Sequence, residues 1–318
     1  MKILAPILII AFILSLFLHK YLDLGKYPFV KKISIGLICT LLIGALAIVF
    51  TNISFGKENV GWHVKYMDYD RMHMYSTGKS QKIALIDSGV SDFQISNKYD
   101  NSIALVGSEQ DNNGHGTMMF SILKGYDEEI IGISPDAEVI SIKVMDSEEK
   151  INPVTMVKAI EEAIKLKSTV INISIGSHKF NQEISDVIDV ALNQGITVVA
   201  SSGDYSNGDM MFPANKPGVI SVGSLSANGS VSDFTNAPND TTINAPGDEI
   251  KIILPNKKVE SNSGTSQSTV IISGYVSLLK DYAAQEKIKL PNEKIIELLS
   301  KINNKKTNYA KAFSSLHN

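Results

Sequence analysis

The chain has 318 residues, 44% apolar and 20% charged, with a formal net charge of −3, which suits one large folded domain with a smaller appendage. Its first 56 residues carry five lysines against Asp23, so the remainder is acidic at about −7 and lacks the cationic surface that nucleic-acid binding needs. The single cysteine, Cys39, excludes an internal disulfide.

Residues 1–56 read as a membrane hairpin. Ile3 to Leu18 has no charged residue, and neither does Ile33 to Gly56. The second run is long enough to cross a hydrocarbon core of roughly 30 Å at about 1.5 Å per residue. It is apolar on every face, unlike a helix that packs one stripe on a core. Lys2 before a short apolar stretch also fits a secretory signal peptide, but no small-x-small cleavage site follows Phe17, so a retained helix is expected. The intervening loop holds Lys20, Lys26, Lys31 and Lys32, which assigns it to the cytoplasm. These features predict a cell-membrane protein with two transmembrane helices and residues 57–318 on the extracytoplasmic side, with the bilayer itself as one partner.

From residue 80 onward, β-branched runs alternate with helical patterns. Ile83 to Ile86, Val139 to Val144, Val170 to Ser174, Thr197 to Ala200 and Val219 to Val222 read as buried strands. Asn152-Pro153 supplies an N-cap and a pre-set first turn for a helix that continues through Val157, Ile160 and Ile164. A second helix, Ile184 to Asn193, is predicted to stop at Gly195. The alternation predicts an α/β fold, a doubly wound parallel sheet with helices on both faces and its site at the carboxyl ends of strands.

Three short motifs carry candidate chemistry. In KIALIDSGV, residues 82–90, an apolar strand delivers Asp87 to a Ser-Gly turn, which by itself is common turn chemistry. In DNNGHGTMM, residues 111–119, His115 alone among the six histidines is flanked by glycines. In SGTSQSTVIISG, residues 263–274, Ser266 stands where a loop enters an apolar helix, and Thr265 or Ser266 also fits a plain N-cap. Together they place Asp, His and Ser, in that order, at strand-to-helix junctions, the chain order of subtilisin.

With these motifs, residues 60–303 resemble the subtilisin-like peptidase family. IALIDSGV, NGHGT and SGTS are similar to its aspartate, histidine and serine motifs. STGKSQ (76–81), VINISIG (170–176), VVASSGD (198–204) and INAPGDEI (243–250) match intervening stretches. The resemblance implies a serine endopeptidase with Asp87, His115 and Ser266 as its triad, acting on peptides or exported proteins. It implies an oxyanion site from Ser266 and residue 204, and a first specificity pocket walled by Ser174, Ile175 and Gly176 and by Ser201, Ser202 and Gly203. Met210 and Met211 fall near that pocket's floor. No metal or organic cofactor is implied. Asp127, Glu128 and Glu129 could bind Ca²⁺, but they read more simply as an exposed acidic turn.

Departures from the family pattern are also visible. Asp204 stands where the family has asparagine, Val270 where it has proline, and Met118 and Met119 follow the histidine motif. Only Lys57 to Gln81 separates the apolar runs from the first strand, so no prodomain is expected. The substitution at 204 supports an alternative, a membrane-bound pseudoprotease that binds or senses peptides without turnover.

Overall fold

Strands buried on both faces form the centre of the chain, and their near-continuous β-branched sequence follows from that burial. The computed structural model describes residues 60–95, 101–145, 151–206 and 208–317. Two short helices, α1 (Trp62–Met67) and α2 (Tyr69–His73), precede β1 (Lys82–Asp87) and β2 (Asn101–Ala104). Next come α3 (His115–Lys124), the paired strands β3 (Gly125–Tyr126) and β4 (Ile130–Ile131), β5 (Glu138–Lys143), α4 (Pro153–Lys165) and β6 (Val170–Ile173). The chain continues through α5 (Gln182–Asn193), β7 (Thr197–Ser201), β8 (Ile220–Leu225) and β9 (Ile243–Pro246). It ends with the hairpin β10 (Ile250–Ile253) and β11 (Val259–Asn262), then α6 (Thr265–Gln285), α7 (Asn292–Asn303) and α8 (Tyr309–Ser314).

The main sheet has seven strands in the order β2-β5-β1-β6-β7-β8-β9, and every neighbouring pair is parallel. The chain runs outward from β1 in one direction and then returns beside it as β6, which makes the carboxyl ends of β1 and β6 the topological switch point. On one face Ala84, Ile86, Ile140, Ile142, Ile171 and Ile173 pack against α4 and α5. The alternate residues, including Ile83 and Leu85, face the other side, where α6 spans β6 to β9. Every residue of α6 from Thr265 to Leu279 is buried, and that stretch carries no charged residue.

Local punctuation acts as its chemistry requires. Asn152 accepts the N–H of Val154 at 2.9 Å with Pro153 at the first helical position, and Gly195 follows α5 with φ 78°. Asp127, Glu128 and Glu129 form the exposed turn between β3 and β4. The four-residue strands β2 and β9 and the β10–β11 hairpin add to the five strands legible in the sequence.

The apolar runs 3–18 and 33–56, expected to cross a bilayer, lie outside the described residues. Among the described residues, no helix is long and apolar enough to cross a membrane.

A second, aromatic core joins the two ends of the described chain. The Tyr75 ring stacks on Phe313 with centroids 4.9 Å apart and planes 6° from parallel, and its hydroxyl lies 3.1 Å from Ser314 Oγ. Tyr282, Tyr275 and Tyr309 extend the cluster. Upstream, Trp62 Nε1 donates to the Asp248 carbonyl at 2.8 Å. Ser76 Oγ and the Ser80 N–H donate to the two oxygens of the Asp281 carboxylate, 2.7 and 2.9 Å.

Candidate active site

Asp87 ends β1 and is fully buried, with its Oδ1 accepting the Ser88 N–H at 2.8 Å. The same oxygen lies 2.7 Å from His115 Nδ1. Because the carboxylate can only accept, the ring donates from Nδ1 and leaves Nε2 as the basic atom of the neutral imidazole. Asp87 Oδ2 is buried without a hydrogen-bond partner among the described residues. His115 opens α3 behind Gly114, whose φ of 96° favours glycine. Gly116 is required by close approach, since a Cβ there would lie 2.0 Å from the Gly89 carbonyl oxygen. The His115 side chain is 24% exposed, so it is held by the core yet open to a substrate.

Burial by itself lowers the basicity of His115. The charge and hydrogen bond of Asp87, helped by the charges of Asp111 and Asp204, outweigh it, and the net displacement of its pKa is upward.

Ser266 is the second residue of α6 and is 9% exposed. Its Oγ donates to the Ser174 carbonyl at 3.1 Å, while Ser174 Oγ donates to the Ser266 carbonyl at 3.2 Å. Among the described residues no hydrogen bond joins Ser266 Oγ to His115, and rotation about one side-chain bond redirects the hydroxyl. The backbone N–H of Ser266, in the first turn, has no intrahelical carbonyl within reach and is available to an anion. Asp204 is exposed, and its Oδ1 accepts the Thr265 N–H at 2.8 Å. Gly203 N donates to Thr265 Oγ1 at 3.3 Å. The structure therefore brings Ser174 and the 201–204 segment to the same helix start as Ser266.

Two residues with structural roles here were not singled out by the motifs. Asp111 is buried and accepts from Ser88 Oγ, Asn113 N and Gly114 N at one oxygen and from the Thr117 N–H and hydroxyl at the other. It thereby fixes the end of β1 to the start of α3. Its place three residues before Gly114, a spacing suited to side-chain capping of a turn, is the sequence signal that could have found it. Asn172 is wholly buried in β6 and links Ser174 Oγ at 2.9 Å to Ser273 Oγ of α6 at 2.8 Å. Only the fold places these groups together.

Beyond the Ile175–Ser177 segment lies an apolar cavity of about 450 Å³, bounded by Met156, Ile173, Ile184, Phe180 and Phe212.

Comparison with known proteins places these features in context. The model of the subtilase family matches residues 78–312. The chain is 31% identical over 212 residues to minor extracellular protease Epr of Bacillus subtilis (strain 168), covering 64% of this chain and 32% of that protein. It is 30% identical over 222 residues to the major intracellular serine protease of the same organism, covering 64% and 70% of the two chains. It spans 56% of subtilisin amylosacchariticus of Bacillus subtilis subsp. amylosacchariticus, so the first curated relatives are substantially longer than the matched region. Among solved structures, the prenylagaramide maturation protease PagA superposes with a TM-score of 0.68 at 25% identity, covering 78% of this chain and 98% of that one.

Proposed function

This chain belongs to the subtilase family, and on that premise we propose that it is a serine endopeptidase working through Asp87, His115 and Ser266. The observation that carries the reading is the 2.7 Å contact between Asp87 and His115. That contact sits at the switch point of a parallel sheet whose central helix carries Ser266 in its first turn. In the reaction, Ser266 Oγ attacks the scissile carbonyl as its proton passes to His115 Nε2. The imidazolium so formed, stabilised by Asp87, then protonates the leaving amine. The Ser266 N–H stabilises the tetrahedral oxyanion. Water completes the cycle by hydrolysing the acyl-enzyme.

Substrate binds as an added strand along Ser174–Gly176, with Ser201–Gly203 opposite. PagA is a maturation protease, which favours a peptide precursor as one substrate class. We assign the enzyme to the membrane surface because two charge-free runs precede the domain.

The experiment is labelling of the purified protein by a fluorophosphonate, together with hydrolysis of a casein or peptide pool. Both are expected in the wild type and both lost in Ser266→Ala. The second reading, an inert peptide-binding module, draws on Asp204 and on the direction of the Ser266 hydroxyl toward Ser174. Labelling at Ser266 overturns it.

A further inference from the structure

Two segments converge on Ser266: Ser174 exchanges hydrogen bonds with it, and Gly203 is bonded to its neighbour Thr265. The family resemblance implies that the slot between Ser174–Gly176 and Ser201–Gly203 takes the side chain of the residue donating the attacked carbonyl. That slot is already occupied. A Cβ placed on Gly176 would meet Met211 Cβ at 2.9 Å, Sδ at 3.3 Å and Cε at 3.4 Å. A Cβ placed on Gly203 would meet Met211 Sδ at 2.6 Å and Cγ at 2.9 Å. The Met211 side chain thus lies against the glycine of both walls along its whole length, and the residue is 8% exposed.

Met211 is also fastened by its backbone. Its N–H donates to the Ser202 carbonyl at 3.0 Å, and the next residue, Phe212, exchanges two hydrogen bonds with Ser177, 2.8 and 2.9 Å. The segment is a short bridge laid from one wall to the other. Outside it, the rings of His178 and Tyr205, which extend the same two walls, approach to 5.2 Å between centroids. The walls are joined twice, whereas the 450 Å³ cavity beyond Ile175 stays open.

We infer that Met211 fills the first specificity slot and restricts the residue on the acyl side of the scissile bond to glycine, alanine or serine. This rests on the peptidase reading above. An apolar residue of substrate cannot enter without expelling a side chain that contacts both walls, and packed interiors resist such insertion.

The test uses the full chain and a set of fluorogenic peptides that differ only at the residue before the cut. Wild-type kcat/KM is expected to be at least ~100-fold higher for Ala than for Phe or Leu, since even one methylene is worth roughly 10–200-fold in a packed pocket. Met211→Gly is expected to raise the Phe/Ala ratio by ~30-fold or more, while Met211→Leu, which retains bulk, keeps the wild-type ratio. In parallel, calorimetry with Ser266→Ala protein measures affinity for peptides ending in Ala or Phe. The Ala peptide is expected to bind at least ~10-fold tighter, and adding Met211→Gly should erase the difference. Equal cleavage of Phe and Ala peptides by wild type, or an unchanged ratio in Met211→Gly, overturns the inference and leaves the peptidase reading standing. If wild type cleaves nothing and takes no fluorophosphonate, the peptidase reading fails, and equal binding of the two peptides then overturns the slot assignment as well.

Discussion

The Asp204 carboxylate accepts the backbone N–H of Thr265 at 2.8 Å, one residue before Ser266. One of its oxygens is thereby committed as an acceptor, and an ionised carboxylate has no proton to offer an oxyanion with the other. Asparagine in the same pose keeps the acceptor toward Thr265 and presents an N–H₂ instead of the second oxygen. Asp204→Asn is expected to raise kcat by about 10- to 10³-fold; the upper figure is the loss known when subtilisin is deprived of its asparagine. Steady-state hydrolysis of one peptide by both proteins checks it, and a slower Asn variant would give the carboxylate a positive role.

The pH profile offers a second, separable signature of the same residue. His115 must be neutral to accept a proton, so kcat/KM rises through its pKa, which is displaced upward. Asp204 contributes to that displacement by its charge. Removing the charge lowers the His115 pKa, so the acid limb of the kcat/KM profile should move to lower pH in Asp204→Asn. A limb that stays in place or moves upward contradicts the electrostatic link.

Gly116 supports the site sterically. Adding a methyl brings it to 2.0 Å from the Gly89 carbonyl oxygen and 3.2 Å from Asp87 Oδ1, so the start of α3 must shift. Gly116→Ala is expected to cost about 1–3 kcal/mol of stability and, by moving His115 from Asp87 by as little as ~1 Å, about 10²-fold in kcat/KM. Thermal unfolding and peptide kinetics on the same preparation measure the two effects.

His63 predicts an acid-sensitive fold. Its ring is buried against Gly61 and Tyr69, Nδ1 has no partner among the described residues, and burial lowers its pKa to about 4. The unfolded chain titrates at about 6.5, so it binds a proton that the folded chain refuses. Stability is full above pH 6.5 and declines as pH falls through the window to 4, by on the order of 3 kcal/mol. Asp281, whose carboxyl is held below its ordinary 3.8 by donors from Ser76 and Ser80 against the opposing effect of burial, loses its contribution at still lower pH. The drop in Tm between pH 7 and pH 4.5 should therefore shrink in His63→Phe.

The proposed membrane attachment has its own test. In intact cells, a tag after Asn318 should be cut by added protease, while a tag near Gly25 should survive until the membrane is broken. The reverse pattern moves the domain to the cytoplasmic side.

Much of the frame was legible because it is written in local patterns. β1, β5 and β6 are short runs dominated by β-branched and other apolar residues, and Asn152-Pro153 marks a helix start by chemistry confined to three residues. β2, with one exposed and three half-exposed residues, has no such pattern and is a strand because β5 pairs with it. The site divides similarly. Asp87, His115 and Ser266 stand in short motifs, but the hydrogen bond of Asn172 to Ser273 joins residues 101 apart. The contact of Met211 with both Gly176 and Gly203 likewise depends on a loop returning across the sheet end. Such partners are chosen by tertiary packing and leave no period in the sequence.

The clasp between the two ends of the described chain has a mechanical consequence. Tension applied at Val60 meets Trp62 on the Asp248 carbonyl, then Tyr75 on Phe313, then Ser76 and Ser80 on Asp281, before it reaches β1. Asp281 stands 15 residues along α6 from Ser266, about 22 Å at the helical rise. A pull at that end is therefore taken up as shear across an aromatic stack and a carboxylate far along the helix, and the alignment of Asp87, His115 and Ser266 is shielded from it.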